Sequence, residues 1–179
     1  MSKYKLHIDK EQLWKGCVLN SIAHAINVAH CPDFSHESSW DGFNYNMQDS
    51  QGRQGTITFH PNYTIVCLQD VNSERIDEWI EDSGAYSIDS FEEMEEHGGF
   101  LLEIPLLDTE SAMERLEEEY ELTEEQIELL QLVYEKKIQR PNEEIKLSKE
   151  EVAMIGTEDS EGLEVSKESF AEMNITWEL

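Results

Sequence analysis

An α+β fold follows from three features of the sequence. Apolar residues recur at three- and four-residue steps over residues 9–28, alternate every second residue over 43–59, and return to helical spacing beyond Asp108. The architecture expected is an N-terminal helix packed on a three- or four-stranded antiparallel meander, followed by an acidic helical C-terminal half. Residues 1–107 make up the α+β part and residues 108–179 a helical extension, expected to pack on it as one globular unit.

The first helix has Asp9 as its N-cap, and Leu13, Trp14, Cys17, Val18, Ile22, Ala25, Ile26 and Ala29 form its apolar stripe. Gly16 costs about 1 kcal/mol against Ala inside a helix, so a start at Cys17 is the competing reading. After Pro32 the period drops to two. Phe43, Tyr45 and Met47 alternate with Asn44 and Asn46, a turn-rich stretch spans 48–55, and Thr56–Phe59 alternates again, which describes a hairpin. Beyond Pro61-Asn62, residues 63–68 are apolar on both faces, so this third strand is expected to be central or covered by the first helix.

Ser73 caps a short helix with Ile76, Trp79 and Ile80 on one side, and Ser90 with Glu93 has capping-box spacing for another. Phe100–Leu107 reads as a buried strand ended by Pro105, which lacks a ladder donor. Helices follow from Asp108 (Met113, Leu116, Tyr120), from Thr123 (Ile127, Leu130, Val133, Tyr134, Ile138) up to Pro141, and from Ser148 with Glu151 up to Gly156. The tail carries Phe170, Met173, Ile175 and Trp177, and is expected to dock.

Composition narrows the function classes. Leu, Ile, Val and Phe make up 43 of 179 residues, above the roughly 20% below which a highly charged chain stays disordered. Forty acidic against thirteen basic side chains give a formal charge of −27. Phosphate-mediated nucleic-acid binding and an anionic membrane surface are both disfavoured, because each needs clustered Lys and Arg. The complement is a basic partner. The charge is unevenly placed, at −1 over residues 1–60, −16 over 61–120 and −10 over 121–179.

No stretch approaches the ~18 apolar residues of a transmembrane helix, and the N-terminal segment lacks the apolar centre of a secretory signal. A cytoplasmic location is expected, with Cys17, Cys31 and Cys67 reduced.

Three groups of residues are candidates for chemistry or binding. Gly16-Cys17-Val18-Leu19-Asn20-Ser21 resembles the nucleophile box of papain-like deubiquitinating cysteine peptidases, where Gly-Asn-Thr-Cys-aromatic-Met-Asn-Ser opens a helix. The resemblance covers six residues, lacks the Asn-Thr before the cysteine and lacks the Gly-His-Tyr segment. It implies Cys17 as a thiolate stabilised at a helix N-terminus, with His60 or His97 left as the base. Cys17, His24 and Cys31, with His30 and His36 nearby, share a spacing of seven. Two helical turns span about 10.5 Å, too far for one zinc ion, so no metal is expected. Phosphate-loop, calcium-loop, hydrolase-elbow and zinc-helix signatures are absent, and no cofactor is expected.

The third group carries the leading expectation. Glu92, Glu93, Glu95, Glu96, Glu117, Glu118 and Glu119 offer carboxylates, while Trp40 and Tyr45 lie in an aromatic and amide-rich stretch of the kind found on recognition surfaces. Together they describe a non-enzymatic binding module for a basic protein such as a toxin or nuclease, in the manner of an immunity- or antitoxin-like inhibitor or a DNA mimic. A cysteine hydrolase using Cys17 and an acidic accessory protein without a charge-based partner are the alternatives.

Overall fold

The computed structural model describes residues 8–72 and 99–178. The two short helices expected after Ser73 and Ser90, with Glu92, Glu93, Glu95, Glu96 and His97, lie outside the described residues.

Helix α1 (Lys10–Asn27) is continuous through Gly16, and its first turn is capped by Asp9, whose carboxylate accepts the Gln12 N–H at 2.8 Å. The reason for the glycine is external to the helix. A Cβ on Gly16 would stand 1.9 Å from the Pro105 carbonyl oxygen, so the close approach of two backbones requires a residue without a side chain. Leu13 and Cys17 face the sheet, whereas Val18, Ile22, Ala25 and Ile26 face the C-terminal helices. The helix is thus buried on two sides rather than along one stripe.

A turn of 3-10 helix (Pro32–Glu37) leads into a four-stranded antiparallel meander of β1 (Ser38–Asp41), β2 (Asn44–Gln48), β3 (Arg53–His60) and β4 (Tyr63–Asp70). The first strand was not legible in the sequence, because Ser38-Ser39-Trp40-Asp41 lacks β-branched residues and alternation. Gly42, at φ 59°, opens the two-residue β1–β2 turn. Tyr45, Met47, Ile57 and Phe59 point inward onto Leu13, Cys17 and Leu102. On the opposite face Thr56 and Thr58 donate their hydroxyls to Asn46 and Asn44 at 2.8 and 2.7 Å. Phe43 departs from the alternation: it lies in the turn, 55% exposed.

Strand β4 also departs from expectation. Among the described residues it is an edge strand paired with β3 alone, and its Tyr63, Ile65 and Val66 are exposed. Loss of alternation suggested burial on both faces, but the apolar side of α1 is fully occupied by β2, β3 and the C-terminal helices.

Residues 99–106 are helical rather than extended: a 3-10 turn (Gly99–Leu102) runs into the single-turn helix α2 (Glu103–Leu106). Pro105 fits because the first turn of a helix has no intrahelical use for its N–H groups. Helices α3 (Thr109–Tyr120), α4 (Glu124–Gln139), α5 (Lys149–Ala153) and α6 (Ser160–Glu172) begin at side-chain caps on Asp108, Thr123, Ser148 and Asp159. Thr123 with Gln126 and Ser148 with Glu151 form complete capping boxes. Between α4 and α5 lies β5 (Ile145–Leu147), and the tail docks parallel to it as β6 (Ile175–Trp177). Their Ile145, Leu147 and Ile175 join Leu116, Leu129, Leu130, Val133 and Phe170 in a core built around α1. None of the helices is long and apolar enough to cross a membrane among the described residues.

Candidate functional site

The exposed side of α3 is where carboxylates gather. Ala112 and Leu116 anchor the helix in the core, and with about 100° of rotation per residue this turns Glu110, Glu114, Glu117, Glu118 and Glu121 outward along one stripe. Glu114, Glu117, Glu118 and Glu121 line a shallow concavity of about 500 Å³ beside Leu122. Arg115 reaches the rim through long contacts, 3.8 Å to Glu103 and 3.9 Å to Glu118, both in solvent. Such pairs contribute little, leaving the stripe strongly negative.

Glu119 is not part of this stripe. It falls on the other flank of α3, where partial desolvation raises its pKa, Arg115 lowers it, and Glu103 and Glu37 raise it further. The expected trio of Glu117, Glu118 and Glu119 is therefore divided by helical geometry into two residues on the concavity and one turned toward Glu103 and Glu37.

The aromatic candidates divide in the same way. Trp40 and Tyr45 are direct cross-strand partners with ring centroids 5.0 Å apart. Tyr45 is fully buried, its hydroxyl accepting from Asn20 Nδ2 at 2.8 Å, and burial pushes its pKa up to about 12. It is a core residue and presents no surface to a partner. Trp40 is half-buried, with Nε1 donating to Ser21 Oγ at 2.7 Å. Asn20 and Ser21, matched in sequence to a peptidase box, thus hold the sheet onto α1.

Cys17 lies inside α1 rather than at its N-terminus, fully buried, and desolvation raises its thiol pKa well above the usual value. The free N–H groups that stabilise a thiolate belong to the helix start near Lys10. His60 ends β3 at the surface turn, its Nδ1 accepting the Asn62 N–H at 3.2 Å and its ring stacked 4.4 Å from Tyr63. Neither residue is bonded to the other.

The histidines and cysteines proposed as a spaced set do not converge. His24 is buried and donates from Nε2 to the Phe34 carbonyl at 3.1 Å, with its pKa lowered first by desolvation. His30 Nε2 lies 2.8 Å from the Ile155 carbonyl oxygen, and His36 donates to the Asp33 carbonyl at 2.9 Å. Among the described residues no group of three His, Cys, Asp or Glu side chains comes together as metal ligands.

One charged residue escaped the sequence reading. Lys137 stands four residues after Val133 and seven after Leu130, on the buried stripe of α4, and is itself 6% exposed. A lysine in a position whose helical phase calls for an apolar side chain was the available signal.

Fold and surface define an α+β protein with a carboxylate-lined helical face. No protein-family model matches the chain, and no curated protein and no solved structure matches it.

Proposed function

We propose that this chain is a non-enzymatic binding module that engages a basic partner protein through the carboxylate stripe of α3, as an immunity- or antitoxin-like inhibitor or a DNA mimic would. The observation that carries this reading is the alignment of Glu114, Glu117, Glu118 and Glu121 around one concavity, in a chain of net charge −27. A potential of one sign over a concave surface raises the rate of encounter with a complementary partner and penalises acidic ones. Successive carboxylates on the stripe are at most four residues apart, about one helical turn of 5.4 Å. That is less than the Debye length of ~8 Å at physiological ionic strength, so neighbours reinforce one another at low salt and are screened at high salt.

Capture from a native lysate of the source organism, on immobilised wild type and on the double variant Glu117→Lys/Glu118→Lys, tests the proposal. The expected result is a basic protein retained by wild type at low salt, released at high salt and lost by the double variant. Glu119→Lys, on the other flank, is expected to retain it. Equal capture by all three proteins, or no specific capture at either salt, overturns the reading in favour of an acidic surface that only maintains solubility.

A further inference from the structure

A groove of about 830 Å³ opens between the first half of α1, the β1–β2 turn, the end of α4 and the junction of α6 with β6. Its volume falls within the roughly 300–1,000 Å³ of small-molecule sites. Trp14, Trp40, Phe43 and Phe59 supply aromatic walls. Trp40 and the largely buried Phe59 are stacked, with centroids 5.9 Å apart and planes 25° from parallel.

The charges around the groove are mostly spoken for by the protein itself. Lys15 pairs with Glu11 at 2.6 Å, Lys10 donates to the His60 carbonyl at 2.8 Å, and Glu172 accepts the Trp40 N–H at 2.8 Å. Lys137 differs. It lines the groove, is 6% exposed, and has no hydrogen-bond or ion-pair partner among the described residues. Partial desolvation lowers its pKa, while its Nζ, bonded by no described protein group, still meets solvent. An anion that meets this ammonium gains a charge-assisted hydrogen bond in a partly desolvated setting.

We propose that this groove binds a small monocarboxylate with a flat apolar body, its carboxylate seated on the Lys137 ammonium and its body among Trp14, Trp40, Phe43 and Phe59. Lys10 and Lys15 on the same walls are already engaged, and Asp9, Glu11 and Glu172 repel a second negative charge, which favours a monoanion over a phosphate dianion. The apolar body gains from burial against the aromatic rings. This site is separate from the carboxylate stripe of α3 and stands or falls independently of it.

Titration calorimetry on the intact chain tests the site, with phenylacetate and hydrocinnamate compared against phenylacetamide and hydrocinnamamide. The indole N–H signals of Trp14 and Trp40 report where the probe sits. Each amide keeps the body and removes the charge. The carboxylates are expected to bind saturably and at least about tenfold more tightly than their amides, the size of one charge-assisted hydrogen bond. Lys137→Met, which retains the apolar stem, is expected to abolish that preference. Phe43→Ala, at an exposed turn where folding is not at stake, is expected to weaken acid and amide alike. Equal affinity for acid and amide, a preference that survives Lys137→Met, unchanged affinity in Phe43→Ala, or no saturable binding by any probe each overturns the proposal. Should Lys137→Met fail to fold, the acid–amide comparison on wild type together with Phe43→Ala decides it.

Discussion

The backbone N–H of Trp40, on the outer strand of the meander, donates to Oε2 of Glu172 at the end of α6, over 2.8 Å in space and 132 positions in sequence. An edge strand carries unpaired N–H groups, and here one of them is satisfied by a side chain. Desolvation raises the Glu172 pKa, the Trp40 N–H lowers it, and repulsion from Glu168 raises it again. The carbonyl of a glutamine accepts the same hydrogen bond without the charge. Glu172→Gln is therefore expected to leave stability within about 0.5 kcal/mol, while Glu172→Ala loses roughly 1 kcal/mol, as measured by urea unfolding.

Gly16→Ala reverses the usual sign of a helix substitution. Propensity alone favours alanine by about 1 kcal/mol. Its Cβ would meet the Pro105 carbonyl oxygen at 1.9 Å, so helix and turn must separate. A net loss of roughly 2 kcal/mol or more is expected from overpacking, and an unchanged urea midpoint would show that the two backbones do not approach as described.

Acid sensitivity should begin above the carboxylate range. Burial holds the folded-state pKa of His24 below its ordinary 6.5, so between the two values the unfolded chain binds more protons. The stability that the neutral imidazole contributes is complete above about pH 6.5 and is lost as pH falls toward the depressed folded value. Urea midpoints are expected to decline across this window in wild type and to decline less in His24→Gln, whose amide can still donate to the Phe34 carbonyl. Identical slopes would mean that His24 is not buried as a neutral ring.

The thiols should separate by accessibility. Cys67 is exposed, Cys31 is partly exposed and Cys17 is buried with a raised pKa. A chromogenic disulfide reagent is expected to label Cys67 and Cys31 in the native protein and Cys17 after unfolding. Labelling of Cys17 at the rate of Cys67 would revive the cysteine-hydrolase reading.

Local signals carried much of the fold. Asp9, Thr123 and Ser148 were legible as caps because a cap is decided within four residues, and the structure places each as expected. What failed depended on distant neighbours. Gly16 reads as a helix defect until Pro105 is beside it. Strand β4 reads as central until the packing side of α1 is seen to be occupied elsewhere. Residues 99–106 read as a strand because a short apolar run carries no period that separates strand from helix. At the candidate surface, the carboxylates of Glu117, Glu118 and Glu119 are adjacent in sequence, and only the rotation of α3 tells which of them share the concavity. Tyr45 shows the converse: its aromatic, amide-rich surroundings resemble a recognition surface, yet the alternation that puts it in the core was the stronger cue.

The glycine at position 16 has a counterpart at the other end of the same helix, since a Cβ on Gly162 would stand 2.0 Å from the Ala29 carbonyl oxygen. Close by, the Ser166 hydroxyl donates to the Ala25 carbonyl at 2.6 Å across 141 positions. During synthesis α1 is the first described helix to leave the ribosome, yet its neighbours at both ends are made much later. The emerging chain must carry an apolar rod with no completed socket until α6 has been translated, and pairing of such distant segments is slow. The central helix is thus translated before the elements that enclose it, so its apolar faces stay open for as long as those elements take to be made.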